Sequence, residues 1–456
     1  MTTKRLSEPP SHLPNSFWIP RIPAVFSNYL LVLESIHKNF GDQVWTKLPK
    51  KTLWVFHPNQ VKELLGQSNA PFFKKGDNVR TFAPLLGDGI IASEGDKWRK
   101  QRRNIAPEFH AERVREFVPI LVEITELHFR KLRARKQVGL HSTLCEWGLE
   151  TASQLFFGST LPFKADDINQ IFNRGAKALF IQGMLRLRGR AANLVPYASE
   201  MKASLKLINT WVYELIHNRR KQLESGCPFV NAIGPKAKNK DILSRILENS
   251  DDQEIRDQCI NILMAGHDTT ALTLFWTLHL LKQNPEKLEI LKRELDQVFG
   301  NGLDADKVEA LHYTEQVILE AMRLYPVITS MSRQAIERVK IGGTEILPGE
   351  IVQVIPWVTH RHPEIWEDGN TFLPERFELS KREQIPEGAF FPFGLGPRAC
   401  VAQLLATTQM KIFLAYFVHQ FDFEFEDKKF PVARPVLTLR PAQDSPVNLV
   451  QRTEVC

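Results

Sequence analysis

Cys400 lies in the segment Phe391-Pro-Phe-Gly-Leu-Gly-Pro-Arg-Ala-Cys400-Val-Ala-Gln403, where a loop carrying two glycines and two prolines gives way to an apolar run. A cysteine ligates metal or attacks as its thiolate, so its surroundings must favour negative charge. A helix that opens at the cysteine supplies this, because its first backbone N–H groups have no partner within the helix. Gly394 and Gly396 permit a tight turn. Arg398 sets a forked cation two residues before the sulfur, suited to a carboxylate, and Phe393 is bulky enough to keep water from it. Gly394 to Ala399 also satisfies G-x-G-x-x-G/A, a dinucleotide-binding loop. Too few residues follow to complete a nucleotide-binding sheet, however, and Pro392 and Pro397 suit its strand and turn poorly.

Other side chains are spaced for chemistry as well. Trp98 and Arg102 are four apart, so an indole N–H and a guanidinium share one helix face; alone they are an ordinary surface pair. Ala265-Gly-His-Asp268-Thr269-Thr270 places an acid and a hydroxyl side by side in a helical run. Glycine there costs about 1 kcal/mol of helix propensity. Such a segment is either a groove built for a purpose or a core helix whose Thr hydroxyls bond back to carbonyls. Glu320 and Arg323 stand i to i+3, an ion pair that Arg376 of Pro374–Phe377 could join.

These groups need elements to position them. A helix from near Ser250 to Leu281 opens on an Asp251/Glu254 capping box and stops before Asn284-Pro285. Its 30 or so residues would span about 45 Å, enough to cross a domain. Further helices are read over Pro285 to Phe299, His312 to Leu324 and Cys400 to His419. Short strands are expected in Val44 to Phe56, in Val339 to Pro356 around the Ile346–Glu350 turn, and in Leu437 to Pro441. Arg361 to Phe393 reads as irregular, and Gly226 to Lys240 as a loop. Met1 to Pro23 reads as an extended stretch, within a proline-rich lead-in over residues 1–35. The fold class is therefore mainly α with a minor β part.

The cysteine loop resembles the F-x-x-G-x-R-x-C-x-G signature of the cytochrome P-450 family of haem-thiolate monooxygenases, met by Phe393, Gly396, Arg398 and Cys400. Ala402 stands where the family has its last glycine, which should tighten helix-to-haem packing. The same resemblance extends to Trp98–Arg102 (W-x-x-x-R), to Ala265–Thr270 (A-G-x-D/E-T-T), and to Glu320–Arg323 (E-x-x-R) with Arg376 as third partner. It implies haem b with Cys400 as axial iron ligand. Trp98, Arg102, Arg333 and Arg398 would then face the propionates, with Phe393 and Ala402 against the cofactor. Thr269 would bond the distal oxygen and Asp268 relay protons to it, while Glu320, Arg323 and Arg376 lock the cysteine loop. All of this would belong to one haem-binding domain, 1–456. The resemblance puts the substrate roof near Phe72 to Ile90 (Phe82 included), Phe180 to Leu205, Leu263 to Ala265, Val327 to Thr329 and Leu437. Val327, Ile328 and Leu437 would face the reacting carbon. The sequence looks closer to the fatty-acid hydroxylase and microsomal branches than to camphor-type enzymes.

The implied reaction inserts one atom of dioxygen into a hydrophobic small molecule. With no flavin or nicotinamide segment after Cys456, electrons from NAD(P)H are expected through a separate ferredoxin, flavodoxin or flavoprotein reductase. Lys97, Arg99, Lys100 and Arg103 could receive such an acidic partner, or could be merely a solvated charged face. Three rivals stay open: a haem-thiolate peroxygenase or isomerase, a non-catalytic haem sensor, and the dinucleotide-binding protein. A formal charge of +7 over 456 residues demands no nucleic acid. No apolar run is long enough to span a bilayer, and the scattered cysteines (Cys145, Cys227, Cys259, Cys400, Cys456) suit a reducing compartment. A cytoplasmic, soluble protein is expected, with Phe17 and Trp18 as candidates for weak contact with a membrane surface.

Overall fold

The computed structural model describes residues 11–14, 22–47, 51–66, 72–75, 83–159, 161–162, 168, 198–225, 242–248, 250–300, 302–435 and 438–452. The chain divides into two compact units that alternate along the sequence. One takes Met1–Arg80, Leu319–Cys400 and Val432–Ala442; the other takes Thr81–Ile318, Val401–Pro431 and Gln443–Cys456.

The first unit holds a six-stranded sheet in the order Ser11–His12, Gln43–Thr46, Thr52–Val55, Ile351–Val354, Met331–Ala335, Phe73–Lys75. Thr52–Val55 pairs antiparallel on one side and parallel on the other. Its parallel register sets Leu53 opposite Val352 and Val55 opposite Val354. Side chains two apart on a strand share a face, so these four aliphatics form one patch. They pack with Val61, Leu64 and Leu65 of the helix Pro58–Leu65 and with Phe391. Each such buried side chain is worth roughly 1.5–3 kcal/mol, and through Phe391 this core reaches the start of the Cys400 loop.

The strands expected in Val44 to Phe56 are Gln43–Thr46 and Thr52–Val55. Val339 to Pro356 holds more than the expected turn. Val339–Ile341 and Thr344–Ile346 form a tight hairpin first, and only then does Ile351–Val354 enter the sheet. Gly342 and Gly343 make its turn at φ 54° and 79°, the two positive values a two-residue hairpin favours. Leu439–Pro441 pairs with Ala433–Pro435; Leu437 lies outside the described residues. The stretch Met1 to Pro23, read as extended, gives way at its end to a helix over Ile22–Phe40. The prolines end at Pro23, in the first turn, where a missing N–H costs nothing.

Among the described residues the second unit is helical, apart from a three-stranded sheet of Phe421–Phe425, Pro446–Gln451 and Gln137–Gly139. Its longest helix, Asp252–Gln283, has 32 residues. Asp251 accepts the Glu254 N–H at 2.8 Å as its cap, and Pro285 opens the next helix, Pro285–Val298, after Asn284. The long helix lies against Leu140–Phe157. A methyl at Gly148 would meet the His267 carbonyl at 2.7 Å, and one at Gly266 would meet the Phe156 ring at 3.0 Å. Glycines on both helices therefore permit the close approach, and packing accounts for the one in the middle of Ala265–Thr270. The last large helix is Gln403–Gln420. It begins three residues after Cys400, where the apolar run alone suggested it would open, and is preceded by a 3-10 turn over Gly396–Arg398. The architecture is mainly α with a minor β part, as the residues suggested, and no described helix is long and apolar enough to cross a membrane.

Candidate active site

The backbone of the Cys400 loop is closely constrained. The Gly394 N–H donates to the Phe391 carbonyl at 2.9 Å, the Ala399 N–H to Gly396 at 3.0 Å, and the Cys400 N–H to Phe393 at 2.7 Å. Gly396 has φ 69°, and any Cβ there would fall 2.0 Å from the Leu65 carbonyl oxygen. Only glycine fits, so the sheet-covering helix holds the loop by direct backbone contact. Phe393 and Arg398 are half-buried, while Cys400 is exposed. The other described cysteines, Cys145 and Cys259, are buried thiols.

Behind the loop is a buried ion pair. Arg323 grips Glu320 with two bonds, Nε to Oε2 at 2.7 Å and Nη2 to Oε1 at 2.8 Å, and both side chains are 0 % exposed. Arg323 also donates to the carbonyls of His360 at 2.9 Å, Gly369 at 2.7 Å and Thr371 at 3.2 Å. Glu320 accepts the Leu373 N–H at 2.9 Å, and Arg376 Nε stands 3.5 Å from it. The pair expected from i, i+3 spacing thus organises the irregular segment as well, with Arg376 docked on it.

His360 was missed in the sequence. Its Nε2 accepts the Phe391 N–H at 3.1 Å, so the imidazole is a neutral acceptor. Burial, and then the charges of Arg323 and Arg361, push its pKa down to about 3. Its backbone carbonyl rests on Arg323 and its ring on the cysteine loop. The His360-Arg-His362-Pro run was the available signal, but nothing in its spacing names Phe391 as a partner.

In the second unit the long helix is continuous α through Ala265–Thr270. Thr269 donates its hydroxyl to the Ala265 carbonyl at 2.8 Å, and Thr273 and Thr277 repeat the pattern at 2.9 and 2.7 Å. Asp268 is buried, gathered with His141 and Cys145 of the neighbouring helix, and those two are 3.5 Å apart. Thr269 is half-buried, one turn from Ala265, which is exposed in the middle of a helix otherwise largely buried. An exposed thiol on a closely constrained glycine loop suits a prosthetic group bound through sulfur.

Of the residues expected at propionates, Trp98 and Arg102 lie half-buried on the helix Gly95–Ile105. Arg333 is half-buried on a sheet strand, bonded to the Ser332 carbonyl at 3.0 Å. Among the substrate-facing candidates, Leu263 and Val327 are buried and Ile328 is half-buried. The Val327 carbonyl accepts the Leu439 N–H at 2.8 Å. Phe82, Leu437 and residues 180–197 lie outside the described residues, as do Phe17, Trp18 and Gly226 to Lys240. Three of the four basic side chains near Trp98 are matched by carboxylates of their own chain. Lys97 pairs with Asp88 at 2.7 Å, Arg99 with Asp96 at 2.8 Å and Lys100 with Glu254 at 3.6 Å.

Comparison with known proteins adds the context. The cytochrome P-450 family model matches residues 8–445. A cytokinin hydroxylase of Arabidopsis thaliana is 31% identical over 89% of this chain and 80% of its own length. The human ultra-long-chain fatty acid omega-hydroxylase is 27% identical over 90% and 81%. Cyclooctatin synthase of Streptomyces melanosporofaciens is 29% identical over 82% and 81%. The matched range takes in every motif from Trp98 to Ala402: the chain belongs to the cytochrome P-450 family and is a haem-dependent oxidoreductase that incorporates oxygen from dioxygen.

Proposed function

We propose that the protein hydroxylates or epoxidises a hydrophobic small molecule, with Cys400 as the sulfur ligand of haem iron and electrons arriving from NAD(P)H through a separate redox protein. The carrying observation is the exposed Cys400 thiol on a loop whose backbone allows almost no alternative. Bound through a thiolate, haem b supplies the reductive activation of dioxygen. The chain's own groups do the rest. Trp98, Arg102, Arg333 and Arg398 would hold propionates, Phe393 would keep water from the sulfur, and Ala402 would pack on the cofactor. Thr269 offers the hydroxyl that accepts and passes a proton. Asp268 resupplies it, drawing on His141 and Cys145 beside it. Glu320, Arg323 and Arg376 are positioning residues for the loop.

The substrate would meet Leu263, Ala265, Val327 and Ile328, with Phe82 and Leu437 completing an apolar lining. The relatives' printed substrates, a cytokinin and an ultra-long-chain fatty acid among them, are diverse, so a hydrophobic class is as far as the lining goes. An acidic ferredoxin, flavodoxin or reductase would dock on Lys97, Arg99, Lys100 and Arg103. Their exposed pairs with Asp88 and Asp96 are worth about 0–1 kcal/mol each, little enough for a partner's carboxylates to displace.

The test is the reduced carbonyl complex of the purified protein. A red-shifted Soret band is expected, and Cys400→Ala should lose it. A Cys400→Ala protein that keeps the band would overturn the assignment. Titration with apolar ligands, read as spin-state shifts, then identifies the substrate class.

A further inference from the structure

We propose that His37, Asp42 and His362 form a binding site for one divalent transition-metal ion of the zinc type, distinct from Cys400. The three come together from distant parts of the first unit. His37 is in the last turn of the helix Ile22–Phe40, Asp42 follows that helix, and His362 comes just after the short helix Pro356–Thr359. Two imidazole nitrogens converge on one carboxylate oxygen. His37 Nε2 is 2.9 Å and His362 Nε2 3.1 Å from Asp42 Oδ1. All the candidate ligand atoms lie within 4.8 Å of one another.

Tetrahedral zinc with bonds of about 2.0–2.1 Å holds its ligand atoms roughly 3.3 Å apart. The two imidazole-to-carboxylate separations are within a few tenths of an ångström of that, and the third candidate pair lies within 4.8 Å. Two imidazoles and a carboxylate are also a donor set that suits zinc.

A second observation concerns the carboxylate itself. Asp42 is 7 % exposed, and its other oxygen, Oδ2, is buried with no hydrogen-bond partner. Buried acceptors left in that condition are rare, and a cation would use the spare capacity.

Two imidazoles and one carboxylate would face the dication, leaving the fourth position to water or to His57, whose ring is 5.1 Å from that of His362. His37 is 13 % exposed and Glu364 25 %, which gives the ion a way in from the surface. The ion would staple the Ile22–Phe40 helix to the segment carrying His360, two residues before His362. An ion that binds only the folded chain stabilises it by mass action.

The haem-loaded full chain, washed with chelator and dialysed against micromolar zinc, should retain one zinc per chain beyond its haem iron and melt several degrees higher. His37→Gln, at a partly exposed position, and Asp42→Asn should each cut zinc retention at least tenfold while haem content stays the same. Zinc X-ray absorption on the unaltered protein provides a check that no variant can confound. A first shell of nitrogen and oxygen with imidazole scattering is expected. No retained zinc, retention by both variants equal to that of the unaltered protein, or sulfur in the shell would each overturn the site and leave the Cys400 assignment untouched.

Discussion

The Phe391 N–H donates to His360 Nε2 at 3.1 Å, so a single imidazole joins the buried Arg323 cluster to the loop that ends in Cys400. Leu has nearly the same bulk as His but no acceptor. In His360→Leu the buried Phe391 N–H is left unsatisfied, at a cost of about 1–3 kcal/mol. The variant should fold with haem but lose its thiolate-type carbonyl band at lower temperature or denaturant than the unaltered protein. Identical melting of that band would show that the contact does not position the loop.

The same imidazole makes stability pH-dependent. His360 is pushed down to about 3 by burial and the Arg323 and Arg361 charges, and His279 to about 3 by burial. Both are depressed from an unfolded value near 6.5. The unfolded chain therefore takes up protons that the folded one refuses. Their contribution is complete above about pH 6.5 and is lost as pH falls toward 3, at roughly 1.4 kcal/mol per pH unit for each group. Denaturant titrations at pH 7, 6 and 5 should show the decline, and it should be shallower in His360→Leu. An equal slope in the two proteins would refute this account of His360.

Gly396 supplies a sharper steric test. Alanine there would adopt φ 69° and drive its methyl to 2.0 Å from the Leu65 carbonyl, against backbone that has no rotamer to yield. Gly396→Ala should lose thiolate-ligated haem on purification. Gly343→Ala, with φ 79° but open space around its Cβ, should keep it, at about 1–2 kcal/mol of backbone strain. Equal haem content in the two variants would mean the loop is not held by this contact.

What was legible in the sequence was local. The Asp251 cap, the Asn284-Pro285 stop and the Glu320/Arg323 spacing each depend on residues within one turn, and all appear as expected. So does the minor β part, from alternating apolar residues. Contacts between distant residues were not legible. Phe391 and His360 are 31 residues apart through irregular chain, and Asp42 and His362 are 320 apart. No periodicity links such partners. Gly266 was ambiguous for the same reason: its need for space comes from Phe156 on another helix. Nor does any shift in composition mark the boundaries of two units that interleave along the chain.

Thr269 separates the two readings of the long helix. Its hydroxyl donates to the Ala265 carbonyl at 2.8 Å, a back-bond that any Thr in a helix could make. If that were its whole role, Thr269→Ala would change little, within about 0.5 kcal/mol of stability, and turnover would be normal. If the hydroxyl also passes protons, Thr269→Ala should keep its haem and its substrate-induced spin shift but divert reducing equivalents to hydrogen peroxide. Thr269→Ser, which retains the O–H, should restore most of the coupling. Asp268→Asn should slow turnover more than it uncouples it, because the buried Asp268 carboxylate is gathered with His141 and Cys145. Product formed per NAD(P)H consumed, measured with a surrogate redox partner, distinguishes these outcomes. Full coupling in Thr269→Ala would remove the residue from the proton path.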